Sequence, residues 1–113
     1  MTESPRPWGR YKVLETEERF QLKKLVVEPG LRLSLQSHEY RAEHWFVISG
    51  TALAEIDGVQ NILGPGDSVD VKAGSKHRIS CTSLEPLVFI EVQTGSSFDE
   101  DDIVRYEDDF GRG

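Results

Sequence analysis

Residues Pro29 to Gly50 read PGLRLSLQSHEYRAEHWFVISG, and this stretch decides the fold. Leu31, Leu33 and Leu35 alternate with polar residues, the period of a half-buried strand. Gln36 and His38 share one face by the same alternation, and Tyr40 joins them if the strand runs that far. Tyr40, Arg41 and Ala42 read as the turn that brings Glu43 back beside them on the next strand. Gln36, His38 and Glu43 then stand at spacings suited to one metal ion. A second segment, GDSVDVKAGSKHRIS from Gly66 to Ser80, supplies His77 as the fourth ligand. Imidazole, carboxylate and amide oxygen suit a divalent ion such as Zn first, then Fe, Mn, Co or Ni. One carboxylate among neutral ligands leaves such an ion positive, a usable Lewis acid where coordination positions stay open. The competing reading is a set of polar groups that merely satisfy one another inside a small barrel. Four ligand-type residues at this spacing weigh against it.

Working outward, the rest of the chain repeats short strand patterns. Phe20 to Val27 precedes a Glu28-Pro29-Gly30 turn. His44 to Ile48, Thr51 to Ile56 and Val59 to Leu63 follow, with Asp57-Gly58 as a hairpin signal. Ser68 to Val71, His77 to Cys81 and Leu87 to Val92 complete the series, separated by Gly and Pro turns. Strands at this spacing predict an all-β sandwich or barrel. The first dozen residues read as extended or irregular. A short helix is expected over Asp99 to Tyr106, with Ser97 as its cap. The division is a single domain over 1–113: an N-terminal arm at 1–19, the barrel at 20–95 and an acidic C-terminal segment at 96–113.

Composition narrows the function classes. A chain of 113 residues supports one modest core. The net charge of −7 excludes a nucleic-acid partner, which demands a basic face. Seven acidic residues fall between Asp99 and Asp109, a solvated tail rather than a binding patch. No apolar run is long enough to span a bilayer, and no secretory signal is visible, so the expected location is cytoplasmic. The single cysteine, Cys81, allows no internal disulfide and reads as a small buried residue. Basic residues near the site, namely Lys23, Arg41 and Arg78, gain interest as anchors for an anionic substrate. Trp8 and Trp45 read as core aromatics. His44, out of phase with Glu43, reads as structural, and Asp101-Asp102 as surface capping. The Leu31, Leu33, Leu35 stripe lies opposite Gln36 and His38, on an outer face that a second copy would cover. A homodimer is therefore expected.

The spacing of the two segments resembles the paired signatures of the cupin fold, a double-stranded β-helix or jelly-roll barrel. Beyond that, RPWGRY (Arg6 to Tyr11), FQLKKLVVEPGLRLSLQSH (Phe20 to His38) and RAEHWFVISGTA (Arg41 to Ala52) resemble the type II mannose-6-phosphate isomerase domain. KHR (Lys76 to Arg78), IEVQTG (Ile90 to Gly95) and EDDIVRYEDDFGR (Glu100 to Arg112) continue the likeness in collinear order. In that family the domain usually forms the C-terminal part of a bifunctional enzyme whose other part is a mannose-1-phosphate guanylyltransferase. The chain has no Gly-rich nucleotide-binding segment, so guanylyl transfer is not expected of it, and a separate guanylyltransferase becomes a candidate partner.

The resemblance implies metal-dependent interconversion of mannose 6-phosphate and fructose 6-phosphate, in mannose-nucleotide and polysaccharide biosynthesis. It implies the same four ligands, Gln36, His38, Glu43 and His77. Arg41 matches an arginine with an implied catalytic role, and Lys23, Arg78, Glu91 and Arg105 also fall on matching positions. Lys23, Arg78 and Arg105 are candidates for substrate binding, Glu91 and Tyr40 for proton transfer. Three positions depart from the family pattern, which has Pro at Lys72, Asn at Cys81 and His at Tyr40. Strand phase puts Tyr40 at the metal pocket, where an ordinary phenol of pKa near 10 cannot replace an imidazole. This predicts weakened or altered isomerase activity. The alternatives are a non-catalytic cupin that binds a sugar or sugar nucleotide, and a metal-dependent oxygenase, against which Gln36 argues.

Overall fold

The computed structural model describes residues 3–111. Met1, Thr2, Arg112 and Gly113 lie outside the described residues, and with them the last residue of the C-terminal motif and both ends of the 1–113 domain. Eleven strands follow in order: β1 (Glu3–Arg6), β2 (Gly9–Thr16), β3 (Phe20–Val27), β4 (Leu35–Ser37), β5 (Arg41–Ser49), β6 (Ala52–Ile56), β7 (Val59–Leu63), β8 (Ser68–Val71), β9 (His77–Cys81), β10 (Leu87–Gly95) and β11 (Val104–Glu107). They form two antiparallel sheets, ordered β1-β2-β3-β10-β5-β8 and β11-β4-β9-β6-β7. The all-β expectation holds.

Register makes the interior legible. Leu25, Phe89 and Val47 align across β3, β10 and β5, and so do Lys23, Glu91 and Trp45, then Gln21, Gln93 and Glu43. All of these are buried, so the period-2 alternation sends one phase of each strand inward. The apolar rows meet Ala52, Ala54, Ile79, Cys81 and Leu63 of the second sheet in a single core. Asp57 and Gly58 both adopt positive φ, 49° and 81°, the backbone a tight β6–β7 hairpin needs. Gly95 ends β10 at a φ of 152°, where a Cβ would stand 2.2 Å from the Tyr40 carbonyl oxygen. Only glycine lets β10 pass that close to the start of β5.

Four local expectations need correction. The N-terminal arm is a β1–β2 hairpin that extends the larger sheet. Pro5 is tolerated there because β1 is an edge strand, and Trp8 at its turn joins the core. No helix forms among the described residues. Ser97 Oγ accepts only from the Asp99 amide in a local turn, and β11 follows. The leucine stripe is not one strand either. Arg32 makes an isolated bridge to Ser80, and Leu31 and Leu33 pack against the core instead of lying on an outer face. That removes the argument on which the dimer was expected. Finally, β4 stops at Ser37, so strand alternation does not carry through His38 to Tyr40.

Candidate metal centre

At one end of the barrel the inward rows turn polar and line a cavity of about 150 Å³. His38, just past β4, Glu43 on β5 and His77 on β9 converge there, with potential ligand atoms within 4.8 Å of one another. Each imidazole is fixed through its Nδ1. His38 donates to the Asp102 carbonyl at 2.6 Å and His77 to the Ser75 carbonyl at 3.0 Å. Both Nε2 atoms therefore present lone pairs to the Glu43 carboxylate, at 3.3 Å and 3.7 Å. Burial first, then the Arg41 charge, pushes the His38 pKa down to about 4. Burial also lowers that of His77. Neutral histidines make no ion pair with Glu43 despite the short distances. Two lone pairs face a buried carboxylate, an arrangement a cation between them would relieve, so the donor set fits a divalent ion.

Gln36 pairs across from His77 and lines the same cavity. Its Nε2 donates to Ser34 Oγ at 3.2 Å, which leaves the amide oxygen as its ligating atom. All four predicted ligands thus border one space.

The carboxylate is braced from behind. Trp45 Nε1 donates to Glu43 at 3.1 Å and lies 3.3 Å from Glu91, while Gln93 Nε2 lies 3.4 Å from both carboxylates. Gln93 is itself held by Gln21, and Gln21 by Thr16. Glu91 is fully buried. Desolvation, then the neighbouring Glu43 charge, raises its pKa well above the ordinary value. Trp45 as a brace, Gln21 and Gln93 were not among the candidates. The signal was present, since Gln93 shares the phase of Glu91 on β10.

The basic candidates divide. Arg41 is buried on β5 and donates through Nη1 to the Asp99 carbonyl at 2.9 Å. Its Nε, 3.7 Å from Glu43, has no hydrogen-bond partner, and the same holds for Nε of Arg105, which pairs across from Gln36. Both line the cavity. Lys23 is buried and lines the cavity too, paired across from Glu91. Arg78 also borders the cavity, but its guanidinium is committed to the Leu33 carbonyl and to Glu107, pinning β11 to the barrel. Tyr40 is not at the pocket. It is 53% exposed and lines an outer groove with Glu39, Gly74 and Asp101, which touches the cavity only through His38 and Ile103. The chain turns after Ser37, and Asp102 caps that turn by accepting from the Glu39 and Tyr40 amides at 2.9 and 3.0 Å.

Residues 1–108 match the family model described as the mannose-6-phosphate isomerase C-terminal domain. The chain belongs to this family. It is 45% identical over 107 residues to the mannose-1-phosphate guanylyltransferase ManC of Salmonella typhimurium, covering 95% of this chain and 22% of that protein. To the alginate biosynthesis protein AlgA of Pseudomonas aeruginosa it is 48% identical over the same length, again 95% and 22%. The chain thus spans about a fifth of these relatives. A Klebsiella pneumoniae structure with a double-stranded β-helix domain superposes at a TM-score of 0.73, with 23% identity over 84% of this chain and 81% of that one. The fold is a cupin.

Proposed function

We propose that this domain is a metal-dependent sugar-phosphate isomerase that interconverts mannose 6-phosphate and fructose 6-phosphate. One observation carries the reading. Two Nδ1-anchored imidazoles face a buried carboxylate in the same cavity where the buried Nε atoms of Arg41 and Arg105 lack partners. A cation site beside unsatisfied guanidinium donors suits a substrate with vicinal oxygens and an anionic group.

The reaction moves one proton from C2 to C1 of the aldose and one from O2 to O1. Gln36, His38, Glu43 and His77 would hold one divalent ion, Zn first among the candidates. Bound there, it would supply Lewis-acid polarisation of the sugar oxygens. Arg41 lies beside Glu43 and is the group placed to orient the carbonyl end. Glu91, buried at the cavity wall with its pKa raised by desolvation and the Glu43 charge, is suited to proton transfer. The buried walls of the cavity limit water access during the transfer.

The relatives that are guanylyltransferases by name, or belong to alginate biosynthesis, support a place in the supply of activated mannose to polysaccharides. A separate guanylyltransferase is then the natural partner. A cytoplasmic location belongs to the same reading. The test is a coupled assay of metal-reconstituted protein with mannose 6-phosphate. Turnover that disappears on chelation and returns with metal is expected. Stoichiometric metal with no turnover would favour the non-catalytic, sugar-binding alternative.

A further inference from the structure

The cavity also holds a second set of charges that the candidate metal ligands do not use. Lys23 is buried, its side chain 8% exposed, and its ammonium sits 4.6 Å over the Tyr11 ring. Arg6 stacks on the same ring at 4.8 Å and donates to the Tyr11 hydroxyl at 3.1 Å. The anion these groups share is Glu100, on the segment between β10 and β11. Its carboxylate accepts from Tyr11 Oη at 2.7 Å but stays 3.8 Å from both Lys23 Nζ and Arg6 Nη2. Those two distances exceed hydrogen-bonding range, and the Glu100 side chain is 57% exposed. A buried ammonium is thus met by a half-exposed carboxylate that does not reach it. Burial raises the Glu100 pKa, yet Lys23, the Tyr11 hydroxyl, Arg41 and Arg6 together bring it below the ordinary value, so the group is an anion.

We propose that Arg6, Tyr11 and Lys23 form the phosphate subsite of this cavity, and that Glu100 is its built-in competitor, displaced by the phosphomonoester of the substrate. The proposal rests on the sugar-phosphate reading above. Arg6, Tyr11, Lys23 and Glu100 line the same cavity as His38, Glu43 and His77. A ligand held by these groups would therefore share one cavity with the candidate metal ligands. A phosphomonoester carries up to two charges and three acceptor oxygens, so it can satisfy the ammonium, the guanidinium and the phenol at once. The single Glu100 carboxylate cannot. Its displacement removes one exposed side chain from the cavity and leaves the rest of the segment held by Arg41 and His38. The consequence is selectivity, because an unphosphorylated sugar has no charge with which to displace Glu100.

The experiment measures inorganic phosphate affinity by calorimetry and KM for mannose 6-phosphate, on metal-loaded protein. Glu100→Gln should tighten phosphate binding by about threefold to tenfold and lower KM in parallel. Glu85→Gln, the same charge change on a surface loop outside the cavity, should move neither. Lys23→Met should weaken phosphate binding by about tenfold or more, with Arg6→Gln as the second variant should the first fail to fold. Unchanged phosphate affinity in both Glu100→Gln and Arg6→Gln overturns the subsite, whether or not the parent turns over mannose 6-phosphate. Tighter phosphate in Glu100→Gln with an inactive parent upholds the subsite and rejects the isomerase. An equal gain in Glu85→Gln reduces the effect to net charge and also overturns the subsite.

Discussion

The two ends of the barrel interior differ in kind although the same strands build both. Towards one end, β3, β10 and β5 send in Leu25, Val27, Leu87, Phe89 and Val47. Towards the other, the same three strands send in Gln21, Lys23, Glu91, Gln93, Arg41 and Glu43, all buried. The boundary is Trp45, whose ring packs edge-on against Phe89 while its Nε1 bonds Glu43. The apolar end supplies the burial that drives folding. The polar end opposes folding, since with Arg78, His38 and His77 it sequesters two acidic groups, three cations and two imidazoles that water would solvate better. Stability and chemistry are thus divided along the strands, and substitutions at the two ends should produce opposite signatures.

The largest effect is expected at the polar end. His38→Ala or His77→Ala removes a ligand and should abolish stoichiometric metal after dialysis, read by elemental analysis, while the metal-free fold survives. Retained metal in both variants would break the assignment. Phe89→Ala should do the reverse and cost about 3–5 kcal/mol in urea unfolding, with metal stoichiometry intact in the fraction that stays folded. A Phe89 variant that kept its stability but lost metal would erase the distinction between the ends.

Acid sensitivity sharpens it further. In metal-free protein the His38 pKa lies near 4, against an ordinary value of 6.5. As pH falls through 6.5 the unfolded chain takes up a proton that the folded chain refuses until about 4. Stability should drop across that window by about 3 kcal/mol from this group, and His77 adds in the same direction. Glu91 works the other way. Its folded pKa is raised, so stability is lost as pH climbs from the ordinary carboxyl range towards that folded value. Glu91→Gln should therefore remove a contribution that opposes the histidines and make the gain in stability with rising pH steeper from the ordinary carboxyl range upward. An unchanged profile in that variant would mean Glu91 is not desolvated.

The apolar end was legible in sequence because alternation and turn chemistry are local. The hairpin at Asp57-Gly58 and the strands Phe20–Val27, Val59–Leu63, Ser68–Val71 and His77–Cys81 fall where those signals put them. The candidate metal ligands were legible for the same reason, lying close together in two short segments. The C-terminal segment was not. Its acidic residues resemble a solvated helix start, yet Arg32 takes Asp109, Arg78 takes Glu107 and Tyr11 takes Glu100, partners 77, 29 and 89 residues away. Such pairings have no local signature. The β1–β2 hairpin was hidden by its prolines, of which Pro5 is permitted because β1 lies at an edge and Pro7 because it sits in the turn.

The smallest expected effect concerns Tyr40, where strand phase led the reading astray. Alternation holds only while the chain stays extended, and β4 ends three residues earlier, at Ser37. His38 reaches the cavity because its ring is tied to the Asp102 carbonyl, while the next two residues turn outward with their amides on the Asp102 carboxylate. The Tyr40 ring consequently faces the outer groove, and an imidazole in its place would stand outside the cavity as well. Tyr40→His should change kcat/KM for mannose 6-phosphate by no more than about twofold, as expected of an exposed side chain with no contact to the reacting groups. A gain of about tenfold or more would mean that position 40 swings into the cavity during turnover. The polar end would then extend past Ser37 into the turn, and the division between a rigid barrel and a chemically active mouth would have to include this loop.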